Sequence, residues 1–427
     1  MTKDVQIITA DFVLPIEDPP FEQGGVAIAE GAILAMGSKE KLSQQFPRGN
    51  PTHFAQGALL PGLINPHLIV DANALARRLK PWLDPNNEHF NFVEWLLTYA
   101  ELKSQLSPEE LSASIQSNLI KTQSAGITTL GAVSSWDDSI QLYEKSPLRI
   151  VAFAEILNLN KQKAAHDFES AISNIEKIAE HELKRITPGL APFSAFTLSK
   201  NLLKILAQHA DEYHLPVHLH VAETFSEMEF FYASKGDITD HLFPEAGWKE
   251  IPPPHQMTPI QYLREIDFLK PNLILMGCLH LGATDLAILE QAHAKILLAP
   301  QAFYRLKLGE IPFQKTFAAS LTTALATLGS PWGGGISLWE ELRATTTHLE
   351  KNGVVFSYED LLKKVTLDAA KCLLIEQQIG SLKKDKRADL LVINTQAKDT
   401  AALAERLVLD TDEANVQAMW VDGNRVS

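Results

Sequence analysis

Between residues 58 and 370 the sequence alternates short apolar runs with amphipathic stretches, and that alternation admits few architectures. The apolar runs are 59–64, GITTLGAV (126–133), LRIVAFAEIL (148–157), 186–191, PVHLHVA (216–222), LILMG (273–277), AKILLA (294–299) and LATLG (325–329). Continuous apolar runs of this length read as strands buried on both faces, as in a parallel sheet. The stretches 108–125, 166–182, 199–213 and 285–294 read as helices. The clearest start is Ser107-Pro108, with Glu109 and Glu110 in the first turn. Eight strand–helix units predict an α/β fold, a (β/α)8 TIM barrel. Residues 338–370 read as late helices that return the chain to its terminal strands.

The two ends have a different pattern. Residues 4–37 (VQIITADFVLP, then GGVAIAEGAILAMG) turn in a β manner at Glu30-Gly31. RADLLVINT (387–395) and VQAMWVDGNRVS (416–427) answer at the far end, with Asp422-Gly423-Asn424 as a hairpin turn. The termini are therefore expected to share one small β-sandwich, residues 1–57 plus 371–427, with the barrel at 58–370.

Composition narrows the partners. The formal net charge of −14 argues against a nucleic-acid backbone. Two cysteines, Cys278 and Cys372, are too few for a disulfide framework or a thiolate zinc site, and they fit a reducing cytoplasm, the expected location. The N-terminus carries acids and prolines where a secretory peptide needs an apolar core, and no apolar run is long enough to cross a membrane.

Four places carry candidate chemistry. The first is His67 in ALLPGLINPHLIVDANALA (58–76), expected just past a strand end, where such barrels build their active face. A single histidine there is more commonly structural unless partners arrive from elsewhere. The second is His218-Leu219-His220-Val221-Ala222-Glu223. On a strand, 218 and 220 share a side, and Glu223 joins them only if the chain turns at the strand end. Histidine with a carboxylate suits zinc, manganese or iron, and a glutamate can also move protons. His218 by itself reads as a packed core histidine. The third is His280, which either lines the pocket or caps the next helix. The fourth is LGSPWGGG (328–335), a glycine-rich loop in which Trp332 could be a platform for a flat ligand or simply packed. It lacks the Lys-Ser/Thr of a phosphate-binding loop. In the acidic stretch 82–97, Trp82, Phe90, Phe92 and Trp95 read as the apolar face of a helix docked on the barrel, with a lid as the other reading.

Taken in order, these segments resemble the metal-dependent amidohydrolase superfamily, in its aminohydrolase or deaminase branch. That branch includes guanine deaminase, adenosylhomocysteine deaminase, triazine chlorohydrolases and aminodeoxyfutalosine deaminase. LLPGLINPH resembles its LxPGxxNxHxH motif, GITTLGAV its GxTTxGD, HLHVAET its HxHxAET, and IGSLKKDKRADLLVIN its IGSLxxGKxADLVxxD. The resemblance implies a metal, zinc or iron, held by the two histidines of HxH, a histidine after strand five and an aspartate after strand eight. A histidine after strand six joins them. The metal would activate a water whose protons the aspartate and a glutamate shuttle. Carried over, His67, His220 and Glu223 are retained positions, with Glu223 and His220 the candidate catalytic residues. Ile69, Gly277 and Pro331 stand where the second HxH histidine, the strand-six histidine and the strand-eight aspartate would be. Leu190, Leu298, Ala302 and Phe303 replace further polar positions.

A scaffold kept with its site erased predicts a protein with no bound metal or other cofactor and impaired or absent hydrolysis of C–N bonds. Its role would be to bind a small molecule in a remodelled pocket drawn from Leu190, His280, Phe303, Arg305 and Trp332, or to serve a partner. The alternative is an active hydrolase with a rebuilt or metal-independent site, using Glu223 as base with His220. A third reading is a purely structural role, which a side-chain-filled barrel mouth would favour. The resemblance implies a homodimer, and neither nucleic acid nor membrane is expected as a partner.

Overall fold

The computed structural model describes residues 4–84, 86–157, 159–180 and 183–427. The chain begins with β1 (Gln6–Val13), β2 (Phe21–Ala29), β3 (Ala32–Ser38) and β4 (Asn50–Pro61). Eight strands follow: β5 (Leu63–Ile69), β6 (Ile127–Ser134), β7 (Arg149–Ile156), β8 (Ile186–Pro192), β9 (Val217–Val221), β10 (Leu273–Gly277), β11 (Lys295–Leu298) and β12 (Thr322–Leu325). The chain ends with β13 (Leu390–Asn394), β14 (Val416–Val421) and β15 (Asn424–Arg425).

The strands β5 to β12 pair in sequence order, all parallel, as a barrel requires. The seam between first and last strand is closed by side chains. Asn65 Nδ2 donates to Thr327 Oγ1 at 2.7 Å, and Thr327 N donates back to Asn65 Oδ1 at 3.1 Å. The flanking helices start as the sequence predicts. Ser107 forms a capping box with Glu110 on the helix Pro108–Ser124, and Ser199 caps Lys200–Glu212. The last two residues of the helix expected over 166–182 lie outside the described residues, as does Pro85 in the 82–97 stretch.

The terminal strands form one seven-stranded sheet in the order β15-β14-β13-β4-β1-β2-β3, antiparallel except for the β1–β4 pair. The expected sandwich is thus made by a single sheet that turns back on itself. Ile33 N donates to Lys386 O at 2.8 Å beside the Ala32–Arg387 bridge, and the halves enclose Ile8, Val26, Ile28, Leu59, Leu390, Val392 and Trp420. Both expected hairpins are two-residue turns with positive φ at both centres. They are Glu30 (52°) with Gly31 (77°), and Asp422 (51°) with Gly423 (73°), the twist that tight hairpins need.

The structure corrects three sequence expectations. The run 59–64 is not one strand: Leu59 and Leu60 finish β4 in the terminal sheet, and β5 starts after Gly62. A Cβ on Gly62 would sit 2.1 Å from Thr128 Oγ1, so only glycine lets the chain pass there. His67 therefore lies within β5, not beyond it. The eighth strand is 322–325 instead of 325–329, which leaves Thr327 free to make the barrel seam. Finally, a helix at Thr400–Asp410, unmarked in the sequence reading, packs against the barrel helices Leu338–Lys351 and Tyr358–Lys364. Among the described residues no helix is long and apolar enough to cross a membrane.

Candidate functional site at the barrel mouth

Alternation along β9 sends both His218 and His220 inward, and the turn that brings Glu223 to them is visible in the backbone. Ala222 has φ 50°, a left-handed residue that ends the strand and swings Glu223 back over the barrel. Both carboxylate oxygens of Glu223 lie 3.0 Å from His220 Nδ1. The next residue, Thr224, caps the helix Phe225–Ala233, and Glu227 on that helix accepts from Glu223 N at 3.1 Å.

From the opposite wall, β5 delivers His67. Its Nδ1 is 3.1 Å from the Thr327 carbonyl oxygen, and its ring centroid is 4.3 Å from that of His218 and 5.6 Å from that of His220. All three imidazoles are buried. Burial holds His67 and His220 down to a pKa of about 3 and His218 well below its usual value, so all three rings are neutral at pH 7. Burial likewise raises the carboxyls of Glu223 and Glu227, the latter to about 8.

Above these rings the mouth is packed with aromatic side chains. The helix Phe92–Ser104 starts at Asn91, whose Oδ1 accepts from Val93 N (2.8 Å) and Glu94 N (3.1 Å). It presents Trp95, Tyr99 and Lys103 at a four-residue spacing on one face, and all three are buried. Trp332 lies beneath them, fully buried. Its ring centroid is 4.5 Å from Trp95, 5.3 Å from Tyr99, 5.8 Å from Phe193 and 5.6 Å from His220. Phe193 also stacks on His220 at 4.9 Å. Of the two readings of the 82–97 stretch, Trp95 follows the docked-helix one.

Beside the mouth, Lys103 lies between two buried carboxylates. Its Nζ is 2.9 Å from Asp71 Oδ1 and also pairs with Glu155. Asp71 is further fixed by Ser135 N (2.8 Å), Ser135 Oγ (3.1 Å) and Ser134 Oγ (3.1 Å). Burial opposes the charge on Lys103, but the two carboxylates outweigh it and raise its pKa. A cleft of about 600 Å³ opens onto Lys103, Ser134, Ser135 and Glu155.

The structure brings together His67, His220, Glu223 and Trp332 from the sequence candidates, with Gly277 against Glu223. Ile69 is the buried last residue of β5. Gly277 has φ 97°, and a Cβ there would fall 2.0 Å from Glu223 Cγ, so Glu223 fills the space a strand-six side chain would need. Pro331 is buried in the 3-10 turn Ser330–Trp332. Leu190 and Phe303 are core residues. His280 reaches the Leu308 carbonyl at 3.2 Å, and Arg305 is exposed beside Gly333. The sequence reading missed His218 as a member of the cluster, although its two-residue spacing from His220 was the signal. It also missed Lys103 and Glu155, which no motif marks.

The Amidohydrolase family profile matches residues 58–426. A 5'-deoxyadenosine deaminase of Methanobrevibacter smithii is 26% identical over 380 residues, covering 86% of this chain and 80% of that protein. A 5-methylthioadenosine/S-adenosylhomocysteine deaminase of Thermodesulfovibrio yellowstonii is 24% identical over 433 residues, covering 98% and 92%. Among solved structures, the Helicobacter pylori aminofutalosine deaminase in complex with methylthio-coformycin superposes with a TM-score of 0.82 at 19% identity, over the full length of both chains. With the barrel, the terminal sheet and the inward histidines of β5 and β9 in place, the profile match settles the family: this chain belongs to the amidohydrolases.

Proposed function

We propose that this protein is a relative of the adenosine-derivative deaminases that has given up metal-dependent hydrolysis and acts by binding. The observation that carries this reading is Trp332. It is fully buried against His220, Trp95, Tyr99 and Phe193, in the space above the inward histidines where a nucleoside would have to sit. A site that turns over a ring-sized substrate needs an open volume at that point, and here it is aromatic core.

The metal chemistry implied by the resemblance also lacks its donors. Ile69 and Pro331 offer no atom to an ion, so the two-histidine motif and the strand-eight acid are both missing from the set. Among the described residues the donors that cluster there are three imidazoles, without a carboxylate. Glu223 is held on His220 Nδ1, facing the ring and not an open pocket. A cleft opens on Lys103 and Glu155 beside the mouth, and we assign small-molecule binding there.

The test is ammonia release by the purified protein, supplied with zinc, iron or manganese. The panel is 5'-deoxyadenosine, 5-methylthioadenosine, S-adenosylhomocysteine, free purines and pterins. No release above the protein-free blank is expected. Chelator-sensitive turnover of any of them overturns the reading.

A further inference from the structure

We propose that the cleft beside the barrel mouth binds an aliphatic diamine, with one ammonium on Glu155 at its floor and the other on Asp137 at its rim. The inference rests on the assignment of small-molecule binding to this cleft and not on the loss of hydrolysis.

The floor is an ion cluster short of one positive charge. Asp71 is fully provided for: it pairs with Lys103 and accepts from Ser135 N, Ser135 Oγ and Ser134 Oγ. Glu155 is not. Its Oε2 pairs with Lys103, and among the described residues nothing bonds to its Oε1. The side chain is more than nine-tenths buried yet lines the cleft, which is where a partner for Oε1 has room. Two carboxylates against one ammonium leave a buried negative charge, and such a charge is costly without a partner. Burial raises the Glu155 carboxyl, with Lys103 opposing. A ligand ammonium on Oε1 completes an alternating row of Asp71, Lys103, Glu155 and ligand.

The rest of the cleft carries the same sign. Glu101, Asp137, Glu155, Asp167 and Glu245 line it, against Lys103 and Lys163, so its field favours a cation. Asp137 follows the end of β6, and Glu155 stands on the neighbouring strand β7. Ser170 Oγ (2.6 Å) and Asn174 Nδ2 (2.9 Å) both donate to Asp137 Oδ1, which fixes this carboxylate at the rim. The apolar part of the lining is aliphatic, with Leu97, Ala154, Leu157 and Leu159. Among the described residues its one ring is His166. The cleft thus offers a methylene chain a wall and a nucleobase no aromatic platform. Its volume of about 600 Å³ is that of a small-ligand site.

The experiment is calorimetric titration of the full-length protein with 1,4-diaminobutane, butylamine, 1,4-butanediol and succinate, at one pH and ionic strength. The diamine should bind at one equivalent, and the diol and succinate should not bind. Butylamine, which lacks the exposed ion pair at the rim, should bind about 2- to 5-fold more weakly than the diamine. Glu155→Gln should weaken the diamine by at least about 30-fold, as for one partner removed from a buried charge pair. Asp137→Asn should lower the diamine to the affinity of butylamine and leave butylamine itself unchanged, a split that a merely structural change would not produce. Glu40→Gln, an exposed acid outside the cleft, should bind as the parent does. Silence of the diamine on the parent overturns the inference, and so does equal binding of the diol or a folded Glu155→Gln that binds normally. If Glu155→Gln does not fold, Asp137→Asn and the parent's ranking of the four probes decide. Binding of the diol or succinate with the amines silent overturns the amine class and keeps the cleft as a small-molecule site. Turnover in the ammonia assay overturns the loss of hydrolysis and leaves amine binding standing.

Discussion

At the scale of single residues, two buried groups show how charge is neutralised by a partner or by a proton. Lys103 carries its charge between Asp71 and Glu155. Glu341, on the helix Leu338–Lys351, forms no ion pair among the described residues, although Arg305 acts on it at longer range. Its Oε2 accepts from Gln301 N at 3.2 Å, and burial pushes its pKa up to about 8, with the Gln301 N–H opposing. A carboxyl so raised binds a proton in the folded state that the unfolded chain has released. Its contribution to stability is complete below the ordinary value of 4.5 and is lost as the pH rises through about 8. Glu341→Gln removes that titration. Its unfolding free energy relative to the parent should rise from about pH 5 to about pH 8, as read from urea melts at each pH. A difference that stays flat with pH would show that Glu341 is not held protonated. Gly277 gives a similar lesson in sterics: at φ 97° and against Glu223, it explains why the strand-six position carries no side chain.

At the scale of elements, the helix Phe92–Ser104 and the turn Ser330–Trp332 close the mouth between them. Whether Trp332 is a ligand platform or packing was open in the sequence; it is fully buried, and the function proposed above takes it as packing. Trp332→Ala should then cost about 3–5 kcal/mol, the usual penalty for an aromatic removed from a core. The cavity left behind should bind a small apolar ring, so indole should raise the unfolding midpoint of the variant and leave that of the parent unchanged. A cost under about 1 kcal/mol would mean the mouth is loosely packed or open in solution. The helices were legible from caps and acids, as at Ser107 and Ser199. The break at Gly62 was not, because both sides of it are equally apolar and only the change of sheet separates them.

At the scale of the whole molecule, the barrel floor is joined to the terminal sheet by a buried ion cluster. Arg149, the first residue of β7, reaches Asp389 through Nε at 2.9 Å and Asp422 through Nη2 at 2.7 Å. Asp422 N donates to Asp389 Oδ1 at 2.8 Å. Arg149→Ala leaves Asp389 buried without its cation and should cost about 3–5 kcal/mol, whereas Arg149→Leu with Asp389→Asn should cost less than the sum of the two single changes. Additive losses in denaturant melts would show that the pair is not coupled. The sequence by itself determined the barrel, the shared terminal sheet and the two tight hairpins, and it made the pairing of His220 with Glu223 conditional on a turn at the strand end. These rest on local signals: periodicity, caps, turn residues and a short motif. Only the tertiary structure decided that His67 faces His218, that Glu223 fills the space beside Gly277, that Trp332 seals the mouth and that Lys103 enters from a distant helix. Each is a contact between segments far apart in the chain, set by which strand of a closed barrel faces which. Local sequence carries no record of that.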